Sequence, residues 1–525
     1  MAAWERRTRL GLTWAGAAGL LLGLAGLGFR LWLILTGTPP TNSDEATIGL
    51  AALHIAGGHD FPVFFYGQHY MGTVEAYLAA PFVAVVGPSP LALRIPTLLL
   101  YAAFLIAAYH LSRRLFTPGF AVATVGLLAF AADRTVKNQL IAGGGYPEVS
   151  PAAVTLLLLA AALGMGATRR RLLAFGAWGL VAGLLVWNHW LGLPYLAAAT
   201  VVLIIGCGRE LRGHAGALTL GAFLLGAAPL IGHNLVAPLS QSSPVVFLRL
   251  NGADDHASWP DRLFGGVLEG LPLGTGLCAP SRCAPWQLWW APVFLLLAAA
   301  AGYLYLAAAR RTEGPERVRQ SARLALVAAG VVSLISYARS PAAAETPIES
   351  ARYLSLLLVS IPAVLWPLWT LATRAGPAWR RLTAAAPIAA LAATMAVATV
   401  MLAAEVPAYA ERARRQDELV GALDRLGVTR FYTEYWSCNW VVFATGERVV
   451  CAVLGDDLRP GMNRYRPYRD VVAQADAPAY VAPVASDFDR NVARHLAIAT
   501  VPFTVDEAAG YRIYRPAARV APPPG

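Results

Sequence analysis

The chain has 525 residues, of which 57% are hydrophobic and 14% are charged, and its formal net charge is +11. Soluble globular proteins carry about 25% charged residues, so this composition indicates a lipid environment. It also excludes collagen-like chains, disordered chains and the disulfide-dense scaffolds of small secreted proteins.

Eleven apolar runs are long enough to cross a bilayer, which takes roughly 20 residues of helix. These runs are 10–35, 91–112, 117–132, 149–167, 172–187, 190–206, 215–231, 288–308, 322–338, 353–372 and 382–403. A twelfth run at 75–87 contains Pro81 and lacks a basic flank, so we expect it to lie along the membrane surface. The predicted fold class is a polytopic α-helical membrane protein with juxtamembrane helices in its first outer loop.

The charged residues predict the orientation of these spans. With the N-terminus inside, the inner segments hold 18 basic and 4 acidic residues, and they include Arg6, Arg7 and Arg9. Short cytoplasmic loops are enriched in arginine and lysine. We therefore expect a multi-pass protein of the plasma membrane with its N-terminus in the cytoplasm. The positive charge then reflects orientation, and nucleic acid is not an expected partner.

The composition changes after residue 403, where charged residues become frequent and balanced, with 15 basic and 15 acidic residues in 404–525. Alternating segments at 429–435 and 448–454 predict strands, and the patterns near 416–426 and 491–497 predict helices. The sequence therefore predicts a transmembrane domain at 1–403 and an extracytoplasmic α/β domain at 404–525. The closing run of prolines predicts a disordered C-terminal end.

Four of the five cysteines fall in segments predicted to lie outside. Cys278 and Cys283 share the third outer loop, and Cys438 and Cys451 share the C-terminal domain. An oxidising compartment favours two disulfides. The Cys-x4-Cys spacing could also hold a metal, but no second pair supports that reading.

The first outer loop carries two adjacent carboxylates, Asp44 and Glu45. The simpler interpretation is that Asn42 or Ser43 caps a helix and that the two acids favour its positive N-terminal dipole. The sharper interpretation is that a carboxylate at the membrane surface acts as a general base on an acceptor. The histidines of this loop lack the close spacing of metal ligands, so a metal site is not expected there.

The second and late outer loops add further polar groups. Three glycines precede Tyr146 and Glu148, and Glu148 stands where a span begins and an ionised group needs a partner. Lys137 either contributes to a site or forms a salt bridge with a nearby acid. Arg352 and Tyr353 begin a span on the outer side, so the arginine meets either lipid headgroups or a phosphate.

These segments together resemble a known family. The resemblance is carried by Asp44-Glu45, by the stretch from Phe65 to Leu78, by Gly144-Gly145-Tyr146-Pro147-Glu148 and by Arg352-Tyr353-Leu354. They are similar to segments of bacterial membrane glycosyltransferases of the GT-C superfamily. The relatives are the dolichyl-phosphate-mannose protein mannosyltransferases (glycosyltransferase family 39) and the aminoarabinose transferases.

The resemblance implies a transferase of the cell envelope that uses a sugar donor linked to a polyprenyl phosphate. Its partners would be that donor, the bilayer and an acceptor protein, lipid or glycan on the outer face. Asp44 would be the catalytic base with Glu45 beside it, Glu148 or else Asp133 the second-loop acid, and Arg352 a contact of the donor phosphate. The remaining candidates for donor or acceptor binding are Tyr66, Gln68, His69, Lys137, Tyr146 and Tyr353. The chemistry requires no cofactor, although it is compatible with a divalent metal.

Two other classes of protein make different predictions for the charged residues. A transporter or a flippase for lipid-linked sugars would place its charged residues in the middle of spans, whereas the acids here cluster in outer loops. A structural or assembly protein would tolerate the change Asp44→Asn.

Overall fold

The computed structural model describes residues 13–251, 257–278 and 283–524. The arginines at positions 6, 7 and 9 therefore lie outside the described residues. In chain order the helices are α1 (Trp14–Leu35), α2 (Ser43–Gly57), α3 (Val74–Val86), α4 (Pro90–Leu115), α5 (Pro118–Ala129), α6 (Asp133–Leu140), α7 (Tyr146–Gly164), α8 (Arg171–Asn188), α9 (Leu193–Cys207), α10 (His214–Gly226), α11 (Ala228–Val236), α12 (Ser243–Asn251), α13 (Trp259–Leu263), α14 (Gly270–Gly274), α15 (Trp290–Arg311), α16 (Gly314–Ala338), α17 (Ala342–Glu345), α18 (Pro347–Ser350), α19 (Leu357–Thr373), α20 (Ala378–Arg425), α21 (Tyr435–Ala444), α22 (Pro467–Ala473) and α23 (Asp487–Ile498).

The described helices account for the predicted spans. Eight are long and apolar enough to cross a membrane, namely α1, α4, α7, α8, α9 with the turn before it, α15, α16 and α20. Three bent pairs bring the number to 11 if each pair forms one span. Helix α3 has 13 residues, about 20 Å at 1.5 Å per residue, which is too short for a core of about 30 Å. The polytopic architecture is confirmed.

One of the bent pairs bends where the sequence changes from apolar to polar. Helices α5 and α6 meet at 92°, and α6 is the polar segment that begins at Asp133. A buried arginine in α1, Arg30, donates from Nη1 to the carbonyl of Ala129 at 3.1 Å and from Nε to Gln139 Oε1 at 3.0 Å. Because the end of a helix leaves carbonyls without partners, Arg30 stabilises this break.

The C-terminal segment forms a five-stranded sheet in the order β2-β1-β3-β5-β4. The strands are β1 (Arg430–Thr433), β2 (Val450–Val453), β3 (Ala479–Pro483), β4 (Phe503–Ala508) and β5 (Tyr511–Pro516). Strand β1 pairs in parallel with β2 and β3, whereas β5 is antiparallel to β3 and β4. The strands and helices predicted from the tail pattern are present, and the helix predicted near 416–426 is the end of α20.

The first outer loop and the C-terminal domain share one hydrophobic core. Residues of α2 and α3, such as Ile48, belong to the same buried cluster as Phe431 of β1 and Phe443 of α21. The approach is close at Gly49, where a Cβ would lie 2.7 Å from the ring of Phe443. Helix α20 passes residue 403 without interruption. The domain is therefore joined to the membrane region by a continuous helix and by a packed interface.

Both expected disulfides are present. Cys278 bonds Cys283, and Cys438 bonds Cys451 across 13 residues of sequence. Cys207 is a buried free thiol. The second bridge ties α21 to β2, which fixes the helix that faces the first outer loop.

Candidate active site

Asp44 lies in the first turn of α2 and faces the C-terminal domain. The side chain of Asn42 caps this helix by accepting from the N–H of Glu45 at 2.9 Å, one of the two caps that the sequence offered. The Oδ1 atom of Asp44 accepts from the hydroxyl of Tyr435 and from Arg464 Nη2, the latter at 3.3 Å. No described residue hydrogen-bonds to Oδ2, and Asp44 is partly exposed at 23%. One oxygen is thus held by protein and the other is open.

Tyr435 and Arg464 are site residues that the sequence did not reveal. Arg464 Nε donates to the hydroxyl of Tyr435 at 2.9 Å, and its guanidinium lies 4.6 Å from the centre of the Phe65 ring. Burial, and after it the Asp44 carboxylate, raise the pKa of Tyr435. The phenol therefore stays protonated and donates to Asp44. Tyr435 is 391 residues from Asp44 in sequence, and no motif spacing relates the two positions.

A second group of side chains surrounds Arg352. Its guanidinium lies 5.1 Å from the ring centre of Tyr146 and 5.7 Å from that of Tyr353. Those two rings are stacked at 6.4 Å. Arg352 Nε is buried and has no hydrogen-bond partner among the described residues. Asp44 is near enough to Arg352 and Tyr146 for its charge to act on both.

Tyr70 lies between the two arginines. Burial raises the pKa of its phenol, Tyr353 raises it further, and the cations Arg464 and Arg352 act in the opposite direction. Its ring also contacts Phe247 at 5.7 Å. Tyr70 stands in the sequence stretch that carried the family resemblance, but it was not among the predicted site residues.

Two predicted binding residues of the first outer loop, Gln68 and His69, have other surroundings. Gln68 closes a turn by donating its N–H to the Phe65 carbonyl at 2.9 Å. His69 stacks on His233 at 5.6 Å, and burial, then His233 and two arginines, lower its pKa. The structure gives neither residue a contact with Asp44 or Arg352 within the ranges it describes.

Tyr66 belongs to a hydrogen-bonded chain that joins the first outer loop to the C-terminal domain. Its hydroxyl donates to Asp60 at 2.7 Å and contacts His54 Nδ1 at 2.7 Å. The other ring nitrogen of His54 lies 2.9 Å from Glu447 Oε1, which also accepts from Tyr468 at 2.6 Å. This chain holds the interface together at a distance from Asp44.

Glu45 and Lys137 lie in ion pairs. Glu45 is fully buried and accepts from Arg94 Nε at 2.8 Å and from Nη2 at 2.6 Å. Lys137 bonds the buried Asp133 at 2.9 Å and Tyr409 at 3.2 Å. For Lys137 the structure thus contains the salt bridge that was the simpler alternative. The Glu45–Arg94 pair connects α2 to α4, the Lys137–Asp133 pair lies within α6, and neither Glu45 nor Asp133 is open to a substrate.

Glu148 begins α7 beside a second buried acid, Glu75. The Oε1 atom of Glu75 accepts from the N–H groups of Gly144, at 2.6 Å, and Gly145. Both glycines have φ above 90°, which lets the two N–H groups point at one oxygen. Burial, and after it the Glu148 carboxylate, raise the pKa of Glu75 well above its ordinary value. Glu75 lies in the first turn of the apolar helix α3; it belongs to the stretch that carried the family resemblance, but it was not among the predicted site residues.

Comparison with known proteins places this architecture. The sequence matches no protein-family model and no curated protein. The structure is similar to ArnT from Cupriavidus metallidurans bound to undecaprenyl phosphate, with a TM-score of 0.54 and 12% identity over 97% of this chain and 98% of that chain. The apo state of that protein gives a TM-score of 0.52 and 14% identity over 92% and 95%. The apo oligosaccharyltransferase of Archaeoglobus fulgidus gives 0.50 and 12% over 89% and 69%.

Both of these proteins are GT-C glycosyltransferases. The chain has the GT-C fold. The resemblance drawn from the sequence motifs is confirmed as a likeness of fold, and at this identity the reaction must be argued from the site itself.

Within this GT-C fold a small pocket lies next to Tyr146, one of the two rings against Arg352. Its wall includes Tyr146, Ser150 and Ser355, together with Asn138 and Gln139 of α6. The pocket therefore lies between the polar helix α6 and the start of α7.

Potential metal ligands are scattered over residues 13–251, 257–278 and 283–524. These ranges contain no group of three or more His, Cys, Asp or Glu side chains that could hold a metal ion. The pairing of Glu45 with Arg94 and of Asp133 with Lys137 removes two acids that could otherwise have served.

Proposed function

We propose that this protein is an integral membrane glycosyltransferase that moves a sugar from a polyprenyl-phosphate donor to an acceptor on the outer face. The observation that supports it best is that Asp44 and Arg352 lie near enough for their charges to interact. Asp44 has one oxygen free, and Arg352 has a buried donor without a partner. A base and a phosphate-binding cation are the two groups that such a displacement needs.

The reaction is a displacement at the anomeric carbon. Asp44 Oδ2 takes the proton of the acceptor hydroxyl or amine while the acceptor atom forms its bond to the sugar. The bond from the anomeric carbon to the donor phosphate oxygen breaks, and its electron pair stays on the phosphate. Arg352 meets that charge, so the polyprenyl phosphate leaves without being protonated. Tyr146 and Tyr353 orient the guanidinium.

The donor would be reached from the bilayer. A small pocket lies beside Tyr146 and Ser355, and the similar ArnT structure is bound to undecaprenyl phosphate. The excess of arginines in the predicted inner loops supports a cytoplasmic N-terminus. The site and the domain at 404–525 would then face outward, and 1–403 would form the membrane domain.

Transfer of labelled sugar in membrane vesicles tests the proposal, with a panel of undecaprenyl-phosphate sugars as donors. We expect Asp44→Asn to lower turnover by about 10²–10⁴-fold, the range for loss of a general base. Asp476→Asn is the matched control, because Asp476 is exposed in the same C-terminal half. The step as written needs no metal, so activity should persist in EDTA. Turnover of Asp44→Asn at the wild-type rate would refute the role of Asp44.

A further inference from the structure

We propose that the C-terminal domain supplies part of the active centre, with Tyr435 and Arg464 as positioning residues that fix the Asp44 carboxylate. The proposal rests on Asp44 being the base, and it assigns the domain a role in the reaction itself. Neither residue would touch the donor or the reacting atoms. Each would act through Asp44.

The contacts define how the carboxylate is held. Two donors, the Tyr435 hydroxyl and Arg464 Nη2, converge on the same oxygen, Oδ1. Because Arg464 Nε also binds the Tyr435 hydroxyl at 2.9 Å, the three side chains form a closed triangle. Rotation of the carboxylate would break two contacts at once. The orientation of the free oxygen, Oδ2, is therefore fixed.

The triangle is itself anchored on both sides. Arg464 is 11% exposed, and its guanidinium rests on the ring of Phe65 in the first outer loop. Ser43, beside Asp44, donates from Oγ to the Tyr435 carbonyl at 2.5 Å. The contact between Asp44 and Tyr435 is thus accompanied by a second hydrogen bond between the same two helices, α2 and α21.

Contacts along α21 and α2 couple the position of the C-terminal domain to that of Asp44. Asn439, one turn along α21, donates to Thr47 at 2.7 Å, and Phe443 packs against Gly49. Helix α21 therefore lies along α2 from its first residue. A displacement of the domain would move Tyr435 and Asp44 together or separate them, and a misplacement of about 1 Å can cost roughly 10²-fold in rate.

A positioning role has a kinetic signature. Arg352, Tyr146 and Tyr353 hold the donor in the proposed reaction, and neither Tyr435 nor Arg464 takes part in that contact. Loss of either residue should therefore lower kcat and leave the KM for the donor nearly unchanged. A purely structural role would instead lower the melting temperature and the amount of active protein.

The test uses the full-length protein in vesicles and the same panel of undecaprenyl-phosphate sugars. We expect Tyr435→Phe, which keeps the ring, to lower kcat by about tenfold, since one charge-assisted hydrogen bond is lost. Arg464→Ala should lose about 10²-fold, with the donor KM of both variants within about twofold of wild type. Added guanidinium ion should restore part of the kcat of Arg464→Ala, because it can re-enter the site and bind Asp44 Oδ1.

Matched controls come from the same domain. Tyr514→Phe removes a tyrosine hydroxyl that donates to a carboxylate, that of Asp489 at 2.7 Å, and Arg459→Ala removes an arginine that is 67% exposed. Both should keep the wild-type kcat.

Wild-type kcat in both test variants, with Asp44→Asn inactive, would overturn the positioning role alone. Loss of melting temperature without rescue by guanidinium would also overturn it. Wild-type turnover by Asp44→Asn would instead remove the base, and with it the proposed function.

Discussion

The sequence allowed either a structural or a catalytic role for Glu45, and its buried ion pair with Arg94 provides a test between them. The residue is adjacent to Asp44, and the family resemblance suggested a place in the catalytic site. In the structure its two carboxylate oxygens receive Nε and Nη2 of Arg94 at 2.8 and 2.6 Å. If that pair is structural, replacing both partners together should preserve the enzyme, whereas replacing either one should not.

The size of the effect follows from burial. Glu45 is 0% exposed and Arg94 is 1% exposed, so removing one partner leaves an uncompensated charge without access to water. Breaking a buried pair in this way costs about 3–5 kcal/mol, whereas replacing both charges by apolar groups of similar volume is often neutral or stabilising. Against a total stability of about 5–15 kcal/mol, the single changes should be severe.

The assay compares Glu45→Leu, Arg94→Met and the double variant. Thermal melting in detergent and labelled-sugar transfer are measured on the same preparations. We expect each single variant to lose most of its folded protein, and the double variant to recover both its melting temperature and its turnover. Recovery of melting without turnover would show that the pair does more than stabilise the fold and would return Glu45 to the catalytic site, whereas a double variant that melts like the single variants would refute the structural role.

Three other contacts of the C-terminal domain give further tests. Gly49→Ala should loosen its docking on α2, at a cost of about 1–3 kcal/mol for overpacking against Phe443, and lower transfer activity; Gly28→Ala, with open space at its Cβ, is the control. His54 first, and also Tyr468, lower the pKa of Glu447, so its stabilisation is complete above about pH 4.3 and is lost as the pH falls through the lowered pKa. Glu447→Gln should therefore flatten the acid side of the melting profile. Replacing both Cys438 and Cys451 by serine opens a loop of 13 residues and should lower stability by roughly 3 kcal/mol, measured by melting.

The membrane architecture could be predicted because lipid imposes strong rules on sequence. A span must be apolar over about 20 residues, and arginines mark its inner end. Those rules do not specify where a span bends. The 92° bend between α5 and α6 depends on Arg30 reaching a carbonyl of another helix, a contact that hydropathy does not encode.

The site could be predicted in part, and helix geometry explains the division. Asp44 and Glu45 are neighbours in sequence, but successive residues of an α-helix point about 100° apart. One carboxylate therefore faces Tyr435 and the other faces Arg94. The sequence could name the pair of acids, but choosing between them required knowing what packs on each side of α2. Arg464 was missed for the same reason, because its partner lies 420 residues away.

Helix α20 joins the membrane region to the C-terminal domain and contacts both segments that carry candidate site residues. Near its middle, Tyr409 donates to Asp133 of the second outer loop at 3.1 Å. Two turns later Gln416 donates to the carbonyl of Thr41, just before α2, at 2.8 Å. Leu423 then enters the core shared with the C-terminal domain. These contacts lie along about 21 Å of one continuous helix, so the two outer loops and the domain are held in a fixed register.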